Sequence, residues 1–377
     1  MSQSSSRTST PSSRQMTPNT PHGRYNSRFH LGIFKKIYYM ITFIAISIIL
    51  SYLFQIFNYV DKKYKLNTKP IPKEAQPFAY FINNLAKDIG NKVLEIHLPR
   101  IAYFSFIAFA FDLLLVLTNN YIMSALGALY FLFDGPLVAL FTSNISLCIA
   151  FIFSFFILRF IVAYFLSDVG YLAAIYYLIF SIQLMITTLF IRPDMVIPLL
   201  ICFVIVVQKK YTVEASFFST RAFLESIKSI FGIIFIILNF CIGILVIQSK
   251  FKLPKCEITL QYKVLFSEFA SNEHNLTFVV FFFLGLFGLF ISDISRVNSS
   301  EIILLLLFFS YLNIVSCVLD FPIFKFKQIT IWAVIFAFNS IGRSNFLSVL
   351  AVFLFLFTIF FFYSPIQSYL KDSSIPQ

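Results

Sequence analysis

The sequence predicts an all-α, polytopic membrane protein, and three features predict it. Of 377 residues, 59% are hydrophobic and only 12% are charged, whereas soluble chains average about 25% charged. Apolar runs approaching the ~20 residues of a bilayer crossing recur along the chain. The 29 Lys and Arg, against 17 acids, lie mostly in the N-terminal tail and between those runs. That distribution suits membrane topology and anionic headgroups, not nucleic acid.

Residues 1–32 are rich in Ser, Thr, Pro and Arg and hold no acid. Too little apolar surface exists there to offset ordering entropy, so a disordered basic tail is expected. Thr10, Thr17 and Thr20 each precede Pro, which suits proline-directed phosphorylation or simply a soluble tail. The first span, about 37–59, follows Arg7, Arg14, Arg24, Arg28, Lys35 and Lys36, and the positive-inside rule puts that flank in the cytosol. Its apolar run starts too late and runs too long for a signal peptide. Residues 60–100 are expected as a polar luminal loop containing Pro70, Pro72, Pro77 and a helix-like stretch over 78–94.

Further spans are expected at about 101–117, 121–142, 145–166, 171–190, 195–207, 229–248, 278–292, 301–319, 329–339 and 346–366. The total is about 10–12 transmembrane or half helices in a membrane domain of 33–371, followed by a short tail, 372–377. The runs at 195–207, 278–292 and 329–339 are short for a crossing and read as half-helices, re-entrant pieces or truncated spans. Lys209, Lys210, Arg221 and Lys228 place the 208–228 loop in the cytosol. Alternation then makes 320–328 luminal, whereas Lys325 and Lys327 argue for the cytosol, and the conflict falls on 278–319.

Asp112 interrupts the second span, Asp134-Gly135-Pro136 the third, and Arg192-Pro193-Asp194 separates the fifth from the sixth. An ionisable group at membrane depth marks a functional site by default. The alternative is that Asp112 and Asp134 sit near span ends, satisfied by neighbouring helices. Arg192 and Asp194 read as a solvated turn. Pro136 breaks its helix, and a broken helix at depth is tolerated only against protein or a water-filled cavity. The five Cys and four His are scattered without ligand spacing, so no metal or cofactor is expected. No nucleophile–base set and no Gly-rich phosphate loop appears, and no catalytic residue is assigned.

The stretch 329–363 reads as two apolar segments around a polar turn from Asn339 to Asn345, with the only Trp, Trp332, just before it. Such a turn belongs at a membrane face or beside a polar cavity, because unsatisfied polar groups in hydrocarbon cost several kcal/mol each. Asn345 also suits an N-cap for the last span.

In order, the chain carries Glu95-Ile-His97-Leu-Pro99, the span with Asp112, Tyr130-Phe-Leu-Phe-Asp134-Gly-Pro136, Gln183, Pro193, Pro198, Lys209-Lys210, Trp332 and Ile341-Gly-Arg-Ser-Asn345-Phe346. Over about 60–371 this order resembles the U subunit of the GPI transamidase, the phosphatidylinositol-glycan class U family. Asp134-Gly-Pro stands where the family shows Asn-Pro, and Arg343 where it shows an Asn. The resemblance implies a multi-pass endoplasmic reticulum membrane subunit with a bundle like the membrane part of glycosyltransferase-C enzymes. It implies no chemistry of its own, partner subunits that include a caspase-like catalytic one, and a GPI glycolipid as ligand. Asn339, Arg343, Ser344 and Asn345 would meet the glycolipid head, since amides suit sugar hydroxyls and a guanidinium suits phosphate. His97 and Pro99 would form the luminal-loop motif. Two alternatives stay open: a membrane glycosyltransferase using a lipid-linked sugar donor through Asp61 or Asp88, and a lipid or solute transporter.

Overall fold

The computed structural model describes residues 33–63, 92–118, 120–166, 171–191, 195–213, 275–291, 325–342 and 344–362, with scattered residues over 234–270 and 304–312. The tail 1–32, most of the 60–100 loop, Arg192 to Asp194, Arg343, the tail 372–377 and most of the spans expected at 229–248 and 301–319 lie outside the described residues.

Every regular element among the described residues is a helix. α1 (Ile33–Leu53) ends at Phe54–Gln55, where Gln55 takes a left-handed φ of 48°. α2 (Ile56–Lys63) leaves at 52°. It is amphipathic, with Ile56, Phe57 and Val60 buried and Asp61 and Lys62 exposed, the spacing of a helix lying on a surface. α3 (Lys92–Thr118) begins before the expected span at 101, so Glu95-Ile-His97-Leu-Pro99 belongs to its first turns and not to a loop. The expected loop is thus shortened at both ends. Pro99 sits inside α3, where it contributes no N–H to the helical ladder.

α4 (Tyr121–Phe133) starts from Asn120, whose side chain accepts the Ile122 and Met123 N–H groups, as a favoured N-cap residue does. It breaks at Asp134, and α5 (Gly135–Ser143) departs at 71°. α6 (Ile145–Leu166) starts from Asn144, whose Oδ1 accepts the Leu147 N–H at 3.1 Å. α7 (Tyr171–Ile191) and α8 (Val196–Val213) pack onto α6. α9 (Asn275–Ile291) lies along α10 (Lys325–Ile341), and α11 (Asn345–Phe362) ends the described order.

Among the described residues, two stretches are long and apolar enough to cross a membrane, His97–Thr118 in α3 and Ile145–Val162 in α6. The bent pairs α1–α2 and α4–α5 raise the number to four if each is one span. α9, α10, α11 and Ile175–Leu189 are shorter apolar helices. Apolar runs that look continuous in sequence are divided in the fold by Gln55 and Asp134.

α10 is the axis of the bundle. Every residue from Phe326 to Ile341 is buried, and α9, α4, α3, α11 and α5 all pack against it. A helix apolar nearly all round belongs in an interior. This corrects the C-terminal part of the loop expected at 320–328: α10 already begins at Lys325, and Lys327, only 1% exposed, is not a solvated loop cation.

Ring contacts fix the helix directions. Tyr39 meets Tyr121 at one end, with centroids 4.6 Å apart, and Phe54 meets Phe133 at the other, 5.8 Å apart. α1 and α4 therefore run parallel, and α3 runs against both, with Phe57 beside Tyr103 and Phe43 stacked on Phe111.

Glycines let α9 approach α10. A Cβ at Gly285 would lie 2.6 Å from the Ala337 Cα, and one at Gly288 would lie 3.2 Å from the Ser340 carbonyl oxygen. Small residues at such crossings let membrane helices pack backbone to backbone. Gly285→Leu should therefore cost about 1–3 kcal/mol through overpacking, measured as a lower unfolding midpoint in detergent. Phe287→Leu, on the exposed side of α9, should leave that midpoint unchanged.

Candidate functional site

A buried ion pair and several hydrogen bonds meet at the α4–α5 break. The local sequence makes the break: Pro136 cannot donate within a helix, and Gly135 tolerates the turn. Asp134 closes both ends. Its backbone N–H donates to the Tyr130 and Phe131 carbonyls, and its Oδ1 accepts the Leu137 N–H at 3.3 Å. Tyr103 Oη donates to the Phe131 carbonyl at 2.6 Å, so α3 supplies a second partner at the broken turn.

The other carboxylate oxygen, Oδ2, accepts from Lys327 Nζ at 2.9 Å. The two side chains are 3% and 1% exposed. Lys327 lies in the first turn of α10, where the helix dipole opposes a cation. The Asp134 carboxylate offsets that penalty and neutralises the charge. The pair joins positions 193 residues apart and ties the break to the start of the central helix.

Asp112 has a similar answer. It is buried on α3 and forms an ion pair with Arg159 of α6. Each carboxylate meets a cation from another helix, Asp112 with Arg159 and Asp134 with Lys327. Sequence reasoning passed over Arg159, although it is the single charge within 145–166. A lone cation in one apolar run and a lone acid in another were the available signal.

The C-terminal polar turn is divided by the fold. Asn339 lies in the last turn of α10, fully buried, and neither amide atom has a hydrogen-bond partner among the described residues. Ser344 takes the capping role, since its Oγ accepts the Leu347 N–H at 3.4 Å. Asn345 is the first residue of α11 and is exposed. A packing contact brings Gly342 against Thr118, where a Cβ would lie 3.3 Å from the Thr118 side chain. The corner therefore sits at the C-terminal end of α3. Gln328, also fully buried, is the second amide of α10 without a partner among the described residues. It shares one face of α10 with Asn339, three turns or about 16 Å away.

His97 and Pro99 lie at the opposite end of α3. His97 is exposed and lines a recess of about 480 Å³ between α1, α2 and α3, together with Gln55, Asn58 and Arg100. Gln55 holds there a left-handed backbone that costs a non-glycine residue about 1–3 kcal/mol.

The chain matches no protein-family model, no curated protein and no solved structure. The residues themselves carry the functional argument.

Removing one partner of a buried pair costs about 3–5 kcal/mol, because the other charge is stranded. Lys327→Met should cost that much. Asp134→Asn retains an acceptor for Leu137, so the double variant Asp134→Asn/Lys327→Met should recover part of the loss. Unfolding of all four forms in detergent gives the coupling, and simple additivity would show that the charges are independent.

Proposed function

We propose that this chain is a non-catalytic, multi-pass subunit of the GPI transamidase in the endoplasmic reticulum membrane. In this reading it holds the GPI glycolipid beside a caspase-like catalytic subunit, within a bundle of the glycosyltransferase-C type. The observation that carries the proposal is the order of motifs along the chain, from Glu95-Ile-His97-Leu-Pro99 to Ile341-Gly-Arg-Ser-Asn345.

The geometry adds support of a physical kind. The Asp134-Gly-Pro136 motif lies at a buried polar hub of the bundle. Trp332 is fully buried against Phe151 and Phe155 of α6. Asn345 heads an exposed apolar stripe on α11 formed by Phe346, Val349, Phe353 and Phe357. An exposed amide above a stripe of that kind complements a ligand with a sugar head and acyl chains. Because Ser344 supplies the cap, the Asn345 side chain is left for such a contact.

The helix directions place a condition on the head-group site. The corner lies beside Thr118 and Tyr121, and Tyr121 meets Tyr39 near the start of α1. It therefore faces the same compartment as the basic tail, which the positive-inside rule assigns to the cytosol. A luminal glycolipid head at Ser344 and Asn345 requires a luminal tail. Protection of Asn345→Cys from an impermeant maleimide in sealed microsomes would keep the head-group contact there. Labelling from outside would move it to the opposite end of the bundle.

Two measurements test the subunit role itself. Purification in mild detergent should recover a cysteine-protease-like partner. Depletion should accumulate the complete glycolipid and reduce surface display of GPI-anchored proteins, whereas a truncated glycolipid would favour the glycosyltransferase reading. Intact surface display after depletion would reject the proposal.

A further inference from the structure

We propose that the recess between α1, α2 and α3 binds the phosphate of an anionic glycerophospholipid. The site is argued from its own geometry and does not depend on the transamidase reading.

Depth is the first argument. The α3 stretch long and apolar enough to cross a membrane begins at His97, which lines the recess, and the apolar part of α1 ends at Leu53. The recess lies at the last turn of α1 and the bend beyond, where α2 turns aside with Asp61 and Lys62 exposed. That is headgroup level.

Chemistry is the second. Arg100 is half-buried in the recess wall, with its guanidinium carbon 5.2 Å from the centroid of the Phe57 ring. The ring holds the cation in place through its negative face. A planar guanidinium presents a fork of donors that matches phosphate. Among the described residues Arg100 pairs with Asp61 at 3.4 Å, and Asp61 is 63% exposed. An exposed pair of that length is weak, so a phosphate can displace it. His97 lies one turn before Arg100 on the same face of α3, and the Gln55 and Asn58 amides also line the recess.

The apolar surroundings are the third. Ile48, Ile101 and Phe104 form the other wall, and Ile49, Leu53 and Ile101 are exposed nearby. Acyl chains can follow that surface into the hydrocarbon, which a soluble phosphate cannot use. The left-handed Gln55 that creates the bend has backbone strain of the kind found at ligand sites.

The test uses the full chain in mild detergent, with native mass spectrometry to count bound lipid. The probes are dioctanoyl phosphatidylglycerol, dioctanoyl phosphatidylcholine and inorganic phosphate. Phosphatidylglycerol should bind at least roughly tenfold more tightly than phosphatidylcholine, and Arg100→Gln should remove that preference. Asp61→Asn, which deletes the competing carboxylate, should tighten phosphatidylglycerol binding about threefold, a gain that a misfolded variant would not give. Unchanged binding in both variants would overturn the site. Displacement of the lipid by millimolar inorganic phosphate would overturn the lipid assignment in favour of a soluble anion.

Discussion

The contact between Lys327 and Asp134 underlies the architecture. A broken helix inside an apolar bundle exposes backbone groups that nothing nearby can solvate. Asp134 satisfies those groups on one side and takes a cation on the other. Lys327 needs that carboxylate equally, because its amine lies in the dry interior at the unfavourable end of a helix dipole. The two problems cancel only if α10 starts beside the break. The pair thus fixes the height of the central helix relative to α4 and α5, and the remaining contacts of α10 follow. It is better understood as setting register than as adding net stability, since apolar residues of equal volume can be as stable as a buried ion pair.

The same contact takes Lys327 out of the topology count. Positive-inside counting treats cations as solvated loop charges. Lys327 is not one, so it does not argue that the chain before α10 is cytosolic. The structure places Lys327 at the end where Phe54 meets Phe133, and simple alternation along the chain gives that same end. One consequence is less expected: α10 then carries the Asn339–Asn345 corner to the end occupied by the start of α1. Any function assigned to that corner depends on which compartment holds the basic tail.

Polarity along α10 is unevenly satisfied. Lys327 is paired and Thr330 bonds back to the Lys327 carbonyl at 2.8 Å. Gln328, Asn339 and Ser340 have side-chain groups without hydrogen-bond partners among the described residues. Each such group costs about 1–3 kcal/mol, so a central helix bearing five of them on these three side chains is not tuned for stability alone. Polar groups of this kind mark places where water, a ligand or another segment completes the interior.

Local chemistry made much of the helix framework legible. Apolar runs predicted α6 at 145–166 and α7 near 171–190, and both lie within a residue of their observed bounds. Asp134-Gly-Pro136 predicted the break, because those residues act on the backbone around them. The loop expected over 60–100 is cut short, because α3 already runs from Lys92. Partners were not legible. Asp112 with Arg159, Asp134 with Lys327, and the separation of buried Asn339 from exposed Asn345 are relations between helices far apart in sequence. A sequence by itself determines which segments avoid water and where the backbone must turn, since those depend on neighbouring residues. Only the tertiary packing decides whether a given charge is solvated, paired or stranded, because that depends on what another helix brings within 3 Å.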